Sequence, residues 1–268
     1  PKGSVKPFYS IFNYDRTLPI VTMLGVFALA IVAVGRSKGL KSLIGLVFSL
    51  FVIMGFLLPA IYHGMSPIAA GVFTAFVVTV LSMLLLNGAT GKTMVAIVST
   101  MLGVLAAVAL YLVFSNLMRL SGYNLDQAEE LLAIHSATGL DVGGIMFVGV
   151  LVSALGAVMD MCMSVAASLF EMHRLHPDTS AGQIIESGMN IGRDMIGTMC
   201  MTLILAFTGT AVASLLVMVS YGAQLDTLLA SDYVATELLQ SSIGAISVVL
   251  SVPITAAVSA WTLCRSDR

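Results

Sequence analysis

Seven apolar stretches dominate this chain, near residues 17–34, 42–62, 67–86, 93–118, 144–170, 194–221 and 236–262. Crossing a bilayer core takes about 20 mostly apolar helical residues, because in lipid every backbone N–H and C=O must be satisfied within the protein. A barrel would show alternating segments of about 10 residues, whereas these runs are continuous and roughly twice that length. The sequence therefore predicts an all-α integral membrane protein, a bundle of seven transmembrane helices. Composition agrees: 10% of residues are charged and mean hydropathy is +1.01, where a soluble domain carries roughly 25% charge. The longest gaps, 119–143 and 222–235, are too short for a soluble domain. Residues 17–268 thus read as a single transmembrane domain behind an extracytoplasmic lead at 1–16. Nothing in so apolar a chain points to a nucleic-acid partner; its expected surroundings are the lipid bilayer.

Lys and Arg mark the cytoplasmic side of such proteins. Seven crossings place Lys2, Lys6, Arg16 and Arg119 on one side, and Arg36, Lys38, Lys41, Lys92, Arg174, Arg193, Arg265 and Arg268 on the other. The second set marks the inside, giving N-terminus out and C-terminus in. No small-residue cleavage site precedes the basic loop, so the first run should remain as a helix. A basic lead crosses a membrane poorly unaided and the chain opens with Pro, so either an upstream helix and extracytoplasmic domain precede it or the lead is a trimmed end. Asp15, Asp126, Glu129, Glu130, Asp141, Asp226, Asp232 and Glu237 give the outer side an acidic cast that loop solvation explains. Residues 124–134 read as a short interfacial helix. Cys162, Cys200 and Cys264 fall in spans or at the inner end and imply neither disulfide nor zinc cluster.

The chemistry lies in the last three spans. Steps of three and four from Asp160 pick out Ser153, Gly156, Ser164, Ala167 and Glu171 as one small or polar helix face. Close helix packing accounts for the small residues. It does not account for a carboxylate, which costs about 2.5–3.5 kcal/mol at the centre of a span and commonly marks an ion, proton or solute path. The same spacing groups Asn190, Asp194, Gly197, Thr198, Met201, Thr202 and Gly209, and the start of that helix is expected either to be broken at Gly188 and Gly192 or to be sunk in a cytoplasmic vestibule. Arg193 is expected to pair with Asp160 across to the neighbouring helix, since adjacent residues on one helix do not face each other. A third stripe runs through Gln240, Gly244, Ser247, Ser251, Thr255 and Ser259, and Pro253 should kink that span. Three polar stripes on successive helices predict a common interior, a path lined by spans five to seven.

The blocks ALGAVMDMCMSVAASLFE (154–171) and SGMNIGRDMIGTMCMTLILAFTG (187–209), together with GRSKGLKSLIGL and FLLPAIYHGMSP, resemble the YibE/F family of bacterial multi-pass membrane proteins. The resemblance covers nearly all of 16–268. It implies a bacterial cytoplasmic (inner) membrane, a presumed part in transport, and often an N-terminal anchor and extracytoplasmic domain. It carries over Asp160, Asn190, Arg193, Asp194, Thr198 and Thr202. Where the family tends to read TMTNTLILAY, this chain has Met201 and Phe207 in place of the Asn and Tyr, which alters any specificity that the Asn confers.

Several chemistries compete. Met159, Met161, Cys162 and Met163, with Met195, Met199, Cys200 and Met201, offer soft donors that favour Cu(I); Asp160, Asp194, Met163, Met199 and Cys200 are the metal candidates. Met also fills apolar cores routinely. Two membrane aspartates can share a proton as a catalytic dyad, but neither sits in a GxGD setting, no HExxH is present, and GATGKT at 88–93 lacks P-loop spacing. The expectation is a permease or channel for a small solute or ion, without enzymatic activity or cofactor, in which Asp160 binds cation or proton, Asp194 and Arg193 set its charge, and Asn190, Ser164, Thr198 and Thr202 supply hydrogen bonds. The alternatives are an accessory subunit that binds a partner protein and, more remotely, an intramembrane aspartyl enzyme. Small helix faces are also compatible with a homodimer.

Overall fold

Uninterrupted apolar runs satisfy their backbone groups only by winding into helices, and the computed structural model, which describes residues 16–118, 142–220, 226 and 231–266, shows six long apolar helices and no strand among them. We number them α1 (Thr17–Tyr62), α2 (Pro67–Asn87), α3 (Gly91–Met118), α4 (Val142–Leu175), α5 (Ala181–Ser220) and α6 (Asp232–Ser266). The lead at 1–15, the expected short helix at 124–134, and Arg119, Asp126, Glu129, Glu130, Asp141 and Arg268 lie outside the described residues.

The helix count is six, not the expected seven. The runs at 17–34 and 42–62 follow one another without a loop and are numbered together as α1, two helical arms that meet at a kink at Arg36. The change of direction there is sharp. Arg36 has φ 48° and ψ −129°, a backbone region that an L-residue seldom adopts. A Cβ placed on Gly39 would collide with the carbonyl of Ile31, although residues eight apart in a straight helix stand about 12 Å from each other. The backbone therefore folds back at Arg36, and only a glycine fits where the two arms meet. Further on, a π turn spans Ile53–Leu57, with the Leu58 N–H donating to the Ile53 carbonyl; it sits just ahead of Pro59, which has no N–H to continue the α ladder.

Local chemistry sets the other ends. Pro67 opens α2, where its missing N–H is harmless, and Gly88 at φ 73° closes it. A capping box starts α5: the Ser180 N–H donates to Gln183 Oε1, and the Gln183 N–H to Ser180 Oγ.

Packing centres on α6, which lies against α3, α4 and α5, while α4 also packs on α2 and α3. The main core gathers Val95, Met161, Val165, Leu169, Ile184 and Val252. Gly188 and Gly192 do not break α5, which is helical from Ala181 to Ser220. They let it approach α6: a Cβ at Gly188 would press on Ala256 and one at Gly192 would overlap Val252. The helix α6 likewise stays helical through Pro253, whose side chain is exposed.

Contacts also fix which helix ends lie together. Ser49 Oγ is 3.3 Å from Ser82 Oγ, Gly91 abuts Phe170, and Gly188 abuts Leu169 and Ala256. These registers gather Arg36, Lys38, Lys41, Lys92, Arg174 and Arg265 at one end of the bundle.

Candidate functional site

On α4, the residues Val158, Met161, Cys162, Val165 and Leu169 are buried, and a 100° step per residue turns Asp160 to the opposite side. Ser153, Gly156, Asp160 and Glu171 are exposed, with Ser164 and Ala167 half-buried between them. On α5, burial of Gly188, Gly192 and Leu203 turns Asn190, Arg193, Asp194, Gly197, Thr198, Met201 and Thr202 outward in the same way. Both stripes expected from spacing are thus real faces, and both lie on the outside of the chain.

The contact of Leu169 with Gly188 sets the register of this antiparallel pair. Nine residues away in each direction, Asp160 stands level with Gly197, within about one helical turn of Asp194 and Thr198 at 1.5 Å rise per residue. The register brings Asp160, Ser164, Arg193, Asp194 and Thr198 within about 8 Å of one another in depth on adjacent helices, with Asn190 and Thr202 on either side of that band.

The expected Arg193–Asp160 ion pair does not form within the chain. Arg193 Nη1 donates instead to Asn190 Oδ1 at 3.1 Å, one turn back on its own helix, because that acceptor is three residues away on the same face. Neither Asp160 nor Asp194 has an ion pair or hydrogen bond among the described residues, where Glu171 and Arg174 pair at the basic end. Thr198 and Thr202 bond to their own helix, at the carbonyls of Met195 and Thr198, and each keeps a lone pair to offer outward.

The third stripe does not join the first two, which corrects the expectation of a common interior. Ser247, Ser251, Thr255 and Ser259 are buried and face α3 and α4, with the Cys162 thiol lying among Thr100, Ser251 and Thr255. Ser247, Ser251 and Thr255 donate to carbonyls of α6 itself at 2.6–2.7 Å. This seam includes Thr100 of α3, which sequence reading passed over; Thr74, Thr79 and Ser82 on α2 and Thr93 and Ser99 on α3 are buried as well, Ser82 against Ser49 of α1. Among the described residues, the side-chain oxygens of Thr74, Thr79, Ser99, Thr100 and Ser259 have no hydrogen-bond partner. A signal was there, since Thr93, Ala96, Thr100 and Gly103 follow helical spacing, but small hydroxyls without a charge did not stand out.

Of the metal candidates, Met163 and Met199 pack against the core, and Cys200 donates its thiol to the Ala245 carbonyl at 3.6 Å. Among the described residues no three His, Cys, Asp or Glu side chains cluster as a metal site. Glu237, read from sequence as an outer-side charge, sits half-buried in the first turns of α6 within reach of Thr210 on α5.

Six helices of this length and apolarity among the described residues define a multi-pass membrane protein. The chain matches the YibE/F-like protein family over residues 23–265, and it belongs to that family. No curated protein and no solved structure matches it.

Proposed function

We propose that this protein is a non-enzymatic permease or channel for a small solute or ion, whose path follows the α4–α5 face. The observation that carries this reading is the placement of Asp160 and Asp194 within about one helical turn of each other in depth on adjacent spanning helices, with no ion pair or hydrogen bond to another described residue. A carboxylate accepts hydrogen bonds and donates none when ionised, so it must find a cation, a proton or a donor outside the chain. Asp160 is the binding group in this reading; Arg193 and Asp194 set the local charge, and Asn190, Ser164, Thr198 and Thr202 offer hydrogen bonds.

The two arms of α1 cross separately on this view, so six helices make seven crossings. The basic end then lies in the cytoplasm of a bacterial cell, with N-terminus out and C-terminus in. An accessory subunit that binds a partner membrane protein is the second reading, favoured by the exposure of the same charged face.

The test is a thermal-shift screen of purified protein with monovalent and divalent cations and small organic ions across pH, followed by flux of each hit in proteoliposomes. A ligand that stabilises the parent should fail to stabilise Asp160→Asn, and flux should fall by about tenfold or more, the loss of a single charge-assisted contact. Unchanged flux in Asp160→Asn would overturn the assignment.

A further inference from the structure

None of the described residues covers the charged face. Asp160, Arg193 and Asp194 belong to spanning helices and are exposed, and a charged group in lipid is driven to a bundle interior or a water-filled cavity. The geometry points to a second copy of this chain as the cover: we propose that two copies seat α4 of one against α5 of the other, and that the site is complete only at this interface.

Three features of the face select a second copy over an unrelated partner. It carries both signs of charge, so it is complementary to itself. All copies insert with the same orientation, and a twofold axis along the membrane normal leaves every residue at its own depth. Asp160 stands level with Gly197, so Arg193 of the other copy is about four residues, roughly 6 Å, away along the axis, within the length of an arginine side chain. Each copy therefore supplies the guanidinium that the other copy's Asp160 lacks. Gly156 and Gly197 also lie on this face with open space where a Cβ would point, unlike Gly188 and Gly192, which are filled by α6. Small residues with nothing packed on them let two helices approach closely. Four acidic groups and two basic ones would then surround one shared path, which deepens the transport reading of the same residues.

Cysteine cross-linking of the full chain in native membranes tests this. In a background with Cys162, Cys200 and Cys264 changed to Ala, Gly156→Cys should cross-link between copies about tenfold faster than Val113→Cys on α3 or Phe51→Cys on α1, both exposed elsewhere. Arg193→Asp should slow it by about tenfold or more, and the double reversal Asp160→Arg with Arg193→Asp should restore it. The gentler Asp160→Asn provides the same comparison if a reversal fails to fold. Equal rates at Gly156, Val113 and Phe51 would overturn the inference, as would a single-copy mass in lipid nanodiscs or a cross-link to a different membrane protein. Cross-linking needs no transported solute, so loss of the dimer beside intact, Asp160-dependent flux would leave the transport reading standing.

Discussion

The outer face of α4 and α5 and the seam between α3 and α6 are both polar, and both belong to helices long enough to span a membrane. They handle polarity in lipid in opposite ways. The seam uses hydroxyls, which can return their proton to the carbonyl three or four residues back, as Ser247, Ser251 and Thr255 do. A helix bearing them can be buried without water. The outer face uses carboxylates and a guanidinium, and an ionised carboxylate has no such local recourse. Burying Asp160 alone would leave an uncompensated charge, so the fold turns it outward and leaves its partner to come from elsewhere. Side-chain chemistry, more than polarity in general, decides which stripe faces in.

The largest effect should come from moving a charge between the two regions. Thr255→Asp puts an unpaired carboxylate in the seam and should cost about 3–5 kcal/mol, the penalty of an uncompensated buried charge, with loss of folded protein in size-exclusion profiles. Ser164→Asp, on the half-buried edge of the outer face, should cost less than Thr255→Asp, because its carboxylate is not sealed inside the bundle. Similar losses for both would break the comparison.

Glycines sharpen it next. Gly192→Leu must displace Val252 and should destabilise by about 1–3 kcal/mol or more, as overpacking does, visible as a lower midpoint of thermal aggregation in detergent. Gly197→Leu, in open space within the single chain, should change the stability of one copy by about 0.5 kcal/mol or less and show its effect instead as slower cross-linking between copies.

The smallest effect is expected at a hydroxyl already bonded to its own helix. Ser251→Ala should change stability by about 1 kcal/mol or less, since hydrogen bonds within a membrane bundle average about 0.6 kcal/mol. A loss of several kcal/mol in a denaturant titration would show that the seam is a connected polar network and not a set of independent hydroxyls.

Much of this was legible without coordinates. Continuous apolar runs led to helices because lipid leaves the backbone no other way to bond: the runs at 67–86, 93–118, 144–170 and 236–262 each lie within a helix of the bundle, as does the run from 194 up to Ser220, where the described helix ends. The faces through Asp160 and Asp194 followed from 3.6-residue geometry alone. The region around 36–41 was harder. Gly, Arg, Ser and Lys read as a loop between two helices, yet the two helical arms meet there without a loop, around one unusual backbone angle at Arg36, a conformation that no local propensity predicts. Gly188 and Gly192 were read as breakers, since a glycine costs helix stability when nothing packs on it; only Val252 and Ala256 reveal that their role is close approach.

By itself, then, the sequence determined that this chain is a helical membrane protein, which residues share each helix face, and that the family match extends over most of its length. Those properties depend on backbone satisfaction and on periodicity, which are local. Only the tertiary structure decided the direction of each face, because direction depends on which helix lies alongside. It turned the hydroxyls of α6 inward against α3, opened Asp160 and Asp194 outward, and gave Arg193 to Asn190. A stripe of spacing fixes neighbours along one helix, and the partner across the gap is a property of the packed bundle.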